Sequence, residues 1–307
     1  MEHALHAARQ SFMSFRRTLR SPVTLAGTGL HSGRPVRLSL HPAAAGYGIR
    51  FLRSDLGVEV PARLEFLDGV EYATTLRREG ASIGTVEHLL SALYAVGVDD
   101  VRVVVDGPEV PILDGSSAPF VLLIHEAGLR TLAEPRTAIT VLRPIEVHVG
   151  DKWARLLPAA GFSISYAIAF DHPLLRHQSI DVDVSVESFV EQIAPARTFG
   201  FLREVEALQR QGLARGGSLD NAVVIGDTAV LNGTLRFEDE FVRHKVLDAI
   251  GDLSLLGHPL VARLEAHKAG HAVHVALARA LMARPECWTL VTRRPAPRPA
   301  AALAAEA

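Results

Sequence analysis

The sequence predicts an α+β fold of two related modules packed through their helices. Three observations carry that reading. Short runs with period-two alternation, such as Val36, Leu38 and Leu40, open the chain. Apolar stripes with helical spacing follow them. Around Glu134-Pro135-Arg136 the pattern resets to strands, so each half reads as strands, then helices, then a returning strand. At 307 residues the chain has room for two ordinary domains or one large one. The limits expected are an extension over residues 1–19, a first module over 20–136, a second over 137–294, and a disordered Ala/Pro tail over 295–307.

Taken in order, Val23 to Phe51 reads as two strands around the glycine-rich turn 27–33, with a further strand pair near Val58–Leu64. Thr85 is the expected N-cap of a helix whose core stripe is Val86, Leu89, Leu90 and Leu93. Gly97 ends this helix, and 101–105 reads as a buried strand. Asp114-Gly115-Ser116 caps a second helix, 118–127. After the reset come strands at 139–141, 145–149, 153–157 and 162–169, then a helix at 186–193. A turn-rich stretch, 212–220, leads to a strand at 222–225. An apolar helix spans Phe241 to Leu256; a final helix, His271 to Met282, precedes a strand at 288–291.

Composition narrows the function. Hydrophobic residues make up 48% and charged residues 21%, as in a soluble globular protein with a sizeable core. A net charge of -2 gives no reason to propose nucleic acid as a partner. Cys287 is the single cysteine, so any metal must be held by His, Asp or Glu. No segment approaches ~20 uninterrupted apolar residues, and Arg9, Arg16 and Arg17 interrupt the N-terminus, so neither a membrane span nor a signal core is expected. A cytoplasmic location is expected, and nothing demands more than a monomer.

The densest chemistry lies in His244-Lys245-Val246-Leu247-Asp248 and Asp252. Four residues advance a helix by one turn plus about 40°, so His244, Asp248 and Asp252 stack on one face. Burying ionised carboxylates without compensation is costly, so something positive must meet that stripe. A divalent metal would serve, and so would an arginine closing a structural His–Asp pair. Glu87-His88 sits in the first turn of its helix, where the helix N-terminus favours an ionised Glu87. Together they form either a base beside a ligand or an acidic residue that complements the dipole. His271 is a general-acid candidate or a surface histidine near a cap; His274 is expected to be ordinary. His31, in Gly29-Leu30-His31-Ser32-Gly33, lies where flanking glycines allow close backbone approach. Thr198 and Phe199 lie in a stretch that otherwise reads as a turn with core phenylalanines.

The runs GTVEHLLSAL, VPILDGSSAPFV, ARTFGF, FVRHKVLDAIGDL and KAGHAVH, in this order, resemble the UDP-3-O-acyl-N-acetylglucosamine deacetylases, zinc enzymes of the committed step of lipid A synthesis in Gram-negative bacteria. The resemblance runs from about residue 20 to 291. It implies two βα modules whose helices are sandwiched between two mostly antiparallel sheets, with the site between the halves. It makes His88, His244 and Asp248 the ligands of one zinc ion, with iron(II) suited to the same donors. Glu87 becomes the general base, and His271 the cation that stabilises the oxyanion and protonates the leaving amine. Asp252 orients His271, and Thr198 donates to the oxyanion. Lys245 and Lys152 meet the sugar and diphosphate, while His31, Leu30 and Phe199 line the site and the acyl channel. The expected partner is an acylated UDP-sugar, reached with transient proximity to a membrane. Two rivals are another metal-dependent amidohydrolase on an acylated sugar and a non-catalytic relative that binds acyl ligands.

Overall fold

In the computed structural model residues 15–292 are described, the side chain of residue 206 apart. Residues 1–14 of the expected extension and the expected tail at 295–307 lie outside them.

Two large sheets are built on one plan. In the first, the hairpin Val23–Thr28 with Pro35–Pro42 stands beside the hairpin Ile49–Arg53 with Val58–Pro61. Val101–Val105 enters between them, antiparallel to Pro35–Pro42 and parallel to Ile49–Arg53. In the second, the hairpins Ile145–Val149 with Lys152–Leu157 and Phe162–Ile168 with Gln178–Asp183 are separated in the same way by Leu260–His267. That strand is again antiparallel to the first hairpin and parallel to the second. Thr137–Val141 and Trp288–Thr292 extend this sheet. A parallel return needs a long crossover, and helices supply it in both halves.

The helices are α1 (Glu87–Val96), α2 (Ala118–Ala127), α3 (Leu202–Arg210), α4 (Glu240–Ser254) and α5 (His271–Met282). α1 and α4 occupy the same place in the two halves, each between the second hairpin and the inserted strand. Leu89, Leu90 and Leu93 of α1 bury against Leu38, Phe51 and Val103 of the first sheet. Val246, Leu247 and Ile250 of α4 bury against Leu156, Ile164 and Leu264 of the second. α1 and α4 then pack on each other, so the helices lie between the sheets, as expected. Their backbones touch. A Cβ at Gly251 would stand 2.3 Å from the carbonyl oxygen of Glu87, a clash that only glycine avoids.

Several local expectations change. Residues 15–19, assigned to the extension, form a strand, Phe15–Leu19, paired antiparallel with Leu129–Pro135. Arg17 there donates to the carbonyls of Val96 and Gly97, capping the C-terminal end of α1, where Gly97 takes the left-handed conformation at φ 83°. Thr85 is not an N-cap: it is itself left-handed at φ 55°, and its hydroxyl donates to Glu109. The 186–193 helix is one α-turn, Val186–Ser188, followed by a π-turn, Phe189–Ile193. The strand Leu260–His267 was hidden by its charges. Leu260, Ala262, Leu264 and Ala266 face inward, while Arg263 and Glu265 face outward and pair with Asp181 and Arg155.

Gly251→Ala should lower stability by about 1–3 kcal/mol, because the added methyl forces α1 and α4 apart. Urea unfolding followed by far-UV circular dichroism measures it. An unchanged midpoint would mean that the two helices separate without penalty.

Candidate active site

The first turn of α1 and one face of α4 meet where their backbones touch. Glu87, His88, His244, Asp248 and Asp252 are all buried there, so the stripe read from spacing is an interior one. His88 Nε2 lies 3.9 Å, and His244 Nε2 3.3 Å, from the same oxygen, Asp248 Oδ1. The three donor atoms stand within 4.8 Å of one another. Donors around a tetrahedral zinc, at about 2.0–2.2 Å from the ion, would be roughly 3.3 Å apart, so the cluster is near that size.

The hydrogen bonds select the atoms. His244 Nδ1 lies 3.1 Å from the carbonyl oxygen of Ala196; donating there leaves Nε2 as a lone pair facing Asp248. Asp248 Oδ2 accepts from Lys245 Nζ at 2.9 Å, whereas Oδ1 is buried without a hydrogen-bond partner among the described residues. A buried bare carboxylate oxygen beside two imidazole nitrogens is what a cation site looks like from its donor side. Burial pushes His88 down to about 3 and also lowers His244, so both rings are neutral at neutral pH and able to ligate. Burial opposes ionisation of Asp248, but Lys245, His244 and His271 outweigh it and hold the carboxyl well below its usual range.

Beside this cluster stand an acid and a base. Glu87 Oε2 accepts from the backbone N–H of Thr74 at 3.1 Å. Its carboxyl is pushed up to about 8, chiefly by burial, with the Asp248 and Asp252 charges adding to the rise against the lowering effect of His271. Burial and the two neighbouring carboxylates thus act on Glu87 against the helix N-terminus that favours its ionised form, and a cation in the adjacent cluster would add to the latter effect. His271, the first residue of α5, places Nε2 4.0 Å from both Glu87 Oε1 and Asp248 Oδ2. Its Nδ1 lies 2.8 Å from Asp252 Oδ2. Burial would depress His271, but Asp252 and Asp248 raise it to about 9, so the ring is cationic at neutral pH.

The remaining predicted residues are distributed around this centre. Phe199 lies edge-on to His244, with ring centroids 6.3 Å apart, and Lys245 Nζ stands 5.5 Å over its ring. Thr198 is tied by its backbone to Gly115 and Val223, two residues beyond the carbonyl that His244 meets. Arg197 beside it, half-buried, forms an ion pair with the buried Glu240, the first residue of α4, which holds this turn against the helix. The Leu30–His31 turn belongs to the first half and docks on the second, through Gly216 N to Leu30 O and Arg215 N to His31 O. His31 Nε2 is buried and without a hydrogen-bond partner among the described residues. Lys152 is exposed at the start of its strand and shows no bond to the cluster; the neighbouring Asp151 holds Lys268, three residues before His271.

Sequence reasoning missed three participants. Thr74 Oγ1 lies 2.5 Å from Asp252 Oδ1, a contact across the two halves with no local signal. Glu109 accepts from Thr85 Oγ1 and from the backbone of His31 and Ser32, joining that turn to the start of α1. His274, expected to be ordinary, is fully buried, with Nδ1 2.8 Å from Asp252 Oδ2 and Nε2 2.7 Å from Tyr166 Oη. Its spacing of three from His271 on one helix was a legible hint. Asp252, His271 and His274 form a second group with metal-like proximity, but both Nδ1 atoms are at hydrogen-bond distance from Asp252.

Comparison with known proteins finds relatives along nearly the whole chain. Residues 16–283 match the family UDP-3-O-acyl N-acetylglycosamine deacetylase (LpxC). The chain is 50% identical over 282 residues to the UDP-3-O-acyl-N-acetylglucosamine deacetylase of Myxococcus xanthus (strain DK1622), covering 91% of this chain and 90% of that protein. Proteins of the same name from Anaeromyxobacter dehalogenans (strain 2CP-C) and Nautilia profundicola (strain ATCC BAA-1463 / DSM 18972 / AmH) are 50% and 47% identical, each over 277 residues. These cover 90% of this chain in both cases, and 90% and 94% of the respective relatives. With the family matched across residues 16–283 and half of the aligned positions identical, the chain belongs to the UDP-3-O-acyl N-acetylglycosamine deacetylases.

Proposed function

We propose that this chain hydrolyses the N-acetyl group of UDP-3-O-acyl-N-acetylglucosamine, using one zinc ion held by His88, His244 and Asp248. The observation that carries the reading is the buried, unpartnered Asp248 Oδ1 between two neutral imidazoles, with Glu87 and His271 beside it. When bound, zinc supplies Lewis acidity: it polarises the amide carbonyl, lowers the pKa of water, and favours the ionised form of the nearby Glu87. Iron(II) suits the same donors.

The chain's own groups divide the proton work. Glu87, held by the Thr74 N–H, takes a proton from the attacking water as its oxygen bonds to the acetyl carbon. The cationic His271 stabilises the developing oxyanion, and Thr198 donates a second hydrogen bond to it. As the C–N bond breaks, His271 Nε2 gives its proton to the departing nitrogen, leaving acetate and a glucosamine amine. Asp252 keeps His271 charged and oriented. Lys245 and Lys152 face the sugar and diphosphate. Leu30, His31 and Phe199 line the way for the acyl chain, each buried methylene contributing roughly 0.8 kcal/mol. No helix among the described residues is long and apolar enough to cross a membrane. On this reading the enzyme acts as a cytoplasmic monomer on a nucleotide-sugar substrate.

Incubation with UDP-3-O-acyl-N-acetylglucosamine should release acetate, stop on addition of a chelator, and resume when about one zinc equivalent per chain is restored. A metal-loaded chain that releases no acetate overturns the reading. His244→Ala should lose the metal, measured by atomic emission. Glu87→Ala should retain it while kcat falls about 10²–10⁴-fold, the usual contribution of a general base. Normal turnover in the Glu87 variant would remove that residue from the mechanism.

A further inference from the structure

Asp252 has no exposed surface, and its two oxygens receive three side chains. Thr74 Oγ1 meets Oδ1 at 2.5 Å, while His271 Nδ1 and His274 Nδ1 both stand 2.8 Å from Oδ2. One of these imidazoles belongs to the proposed chemistry; the other, His274, has been given no part in it. His274 lies one turn further along α5 and is held at its far nitrogen as well, with Nε2 2.7 Å from Tyr166 Oη. Tyr166 sits in the strand Phe162–Ile168, and its hydroxyl also lies 2.9 Å from the carbonyl oxygen of Ala269, two residues before His271.

We infer that His274, backed by Tyr166, is a positioning residue that fixes the Asp252 carboxylate so that it aims at His271. This rests on the proposed deacetylase reading. A carboxylate bonded by His271 alone could turn about its Cβ–Cγ bond and carry His271 with it. A second donor on the same oxygen and Thr74 on the other define its plane. With both ring nitrogens engaged, His274 cannot turn either, so the orientation of the second sheet passes through Tyr166, His274 and Asp252 to His271. Partners of this kind commonly change activity by about 10–100-fold when removed.

The experiment compares wild type, His274→Leu, His274→Asn and Tyr166→Phe by acetate release from UDP-3-O-acyl-N-acetylglucosamine, with metal content and thermal unfolding measured in parallel. Leucine keeps much of the bulk without a donor; asparagine returns an N–H close to the Nδ1 position. A positioning role expects His274→Leu to lose about 10–100-fold in kcat with KM and metal content unchanged, and His274→Asn to recover most of that loss. Should the leucine variant fail to fold, Tyr166→Phe carries the test, with a fall in kcat of several-fold at constant KM. Wild-type kcat in a folded His274→Leu or Tyr166→Phe protein overturns the inference, as does equal impairment in the leucine and asparagine variants. Absence of acetate from the metal-loaded wild type sinks the deacetylase reading instead, which keeps the two failures distinct.

Discussion

Two ionised carboxylates buried one turn apart on a single helix govern this structure. Asp248 and Asp252 of α4 lie in a region that the sheets and helices have closed to water, and an unpaired charge there would be destabilising by several kcal/mol. Everything around them supplies compensation. Asp252 is satisfied by Thr74 from the first half and by two histidines of α5 from the second. Asp248 is satisfied on one oxygen by Lys245, and its other oxygen faces two neutral imidazoles. The difference between the two residues is chemical. One carboxylate is saturated with donors; the other keeps an acceptor free in a nest of lone pairs.

The repeated architecture explains why this happens where it does. Each half inserts a returning strand between two hairpins and lays its crossover helix on the inner face. Packing the two halves together sets α1 against α4, and Gly251 lets their backbones close at Glu87. The first turn of one helix thereby meets the polar face of the other, and His88 from one half of the chain converges with His244 and Asp248 from the other. Turns and loops complete the site from outside. The Ala196–Phe199 turn is held by the Arg197–Glu240 pair, and the His31 turn is held by Glu109.

Burial and neighbouring charges also shift the proton affinities of the groups in this cluster. The same dry surroundings lower His88 and His244 and raise Glu87 to about 8. His271, somewhat less enclosed, moves the other way from His88 and His244: Asp252 and Asp248 beside it outweigh its desolvation.

The sequence by itself determined which residues share a face and which local elements form. The four-residue spacing of His244, Asp248 and Asp252, the adjacent Glu87 and His88, and the strand–helix–strand order of the first half were all legible, because 3.6-residue and two-residue periods are local properties. The strand Leu260–His267 was legible in principle and was masked by outward charges that alternate with its buried face. Only the tertiary structure decided that Thr74, Tyr166 and Glu109 join the site, that His274 shares Asp252 with His271, and that burial raises Glu87. Those outcomes depend on which elements meet and how much water they exclude. Neither quantity is written in the neighbours along the chain, since hydrogen bonds between residues tens to more than a hundred positions apart, and the desolvation of a carboxyl between two helices, come into being only when the halves close.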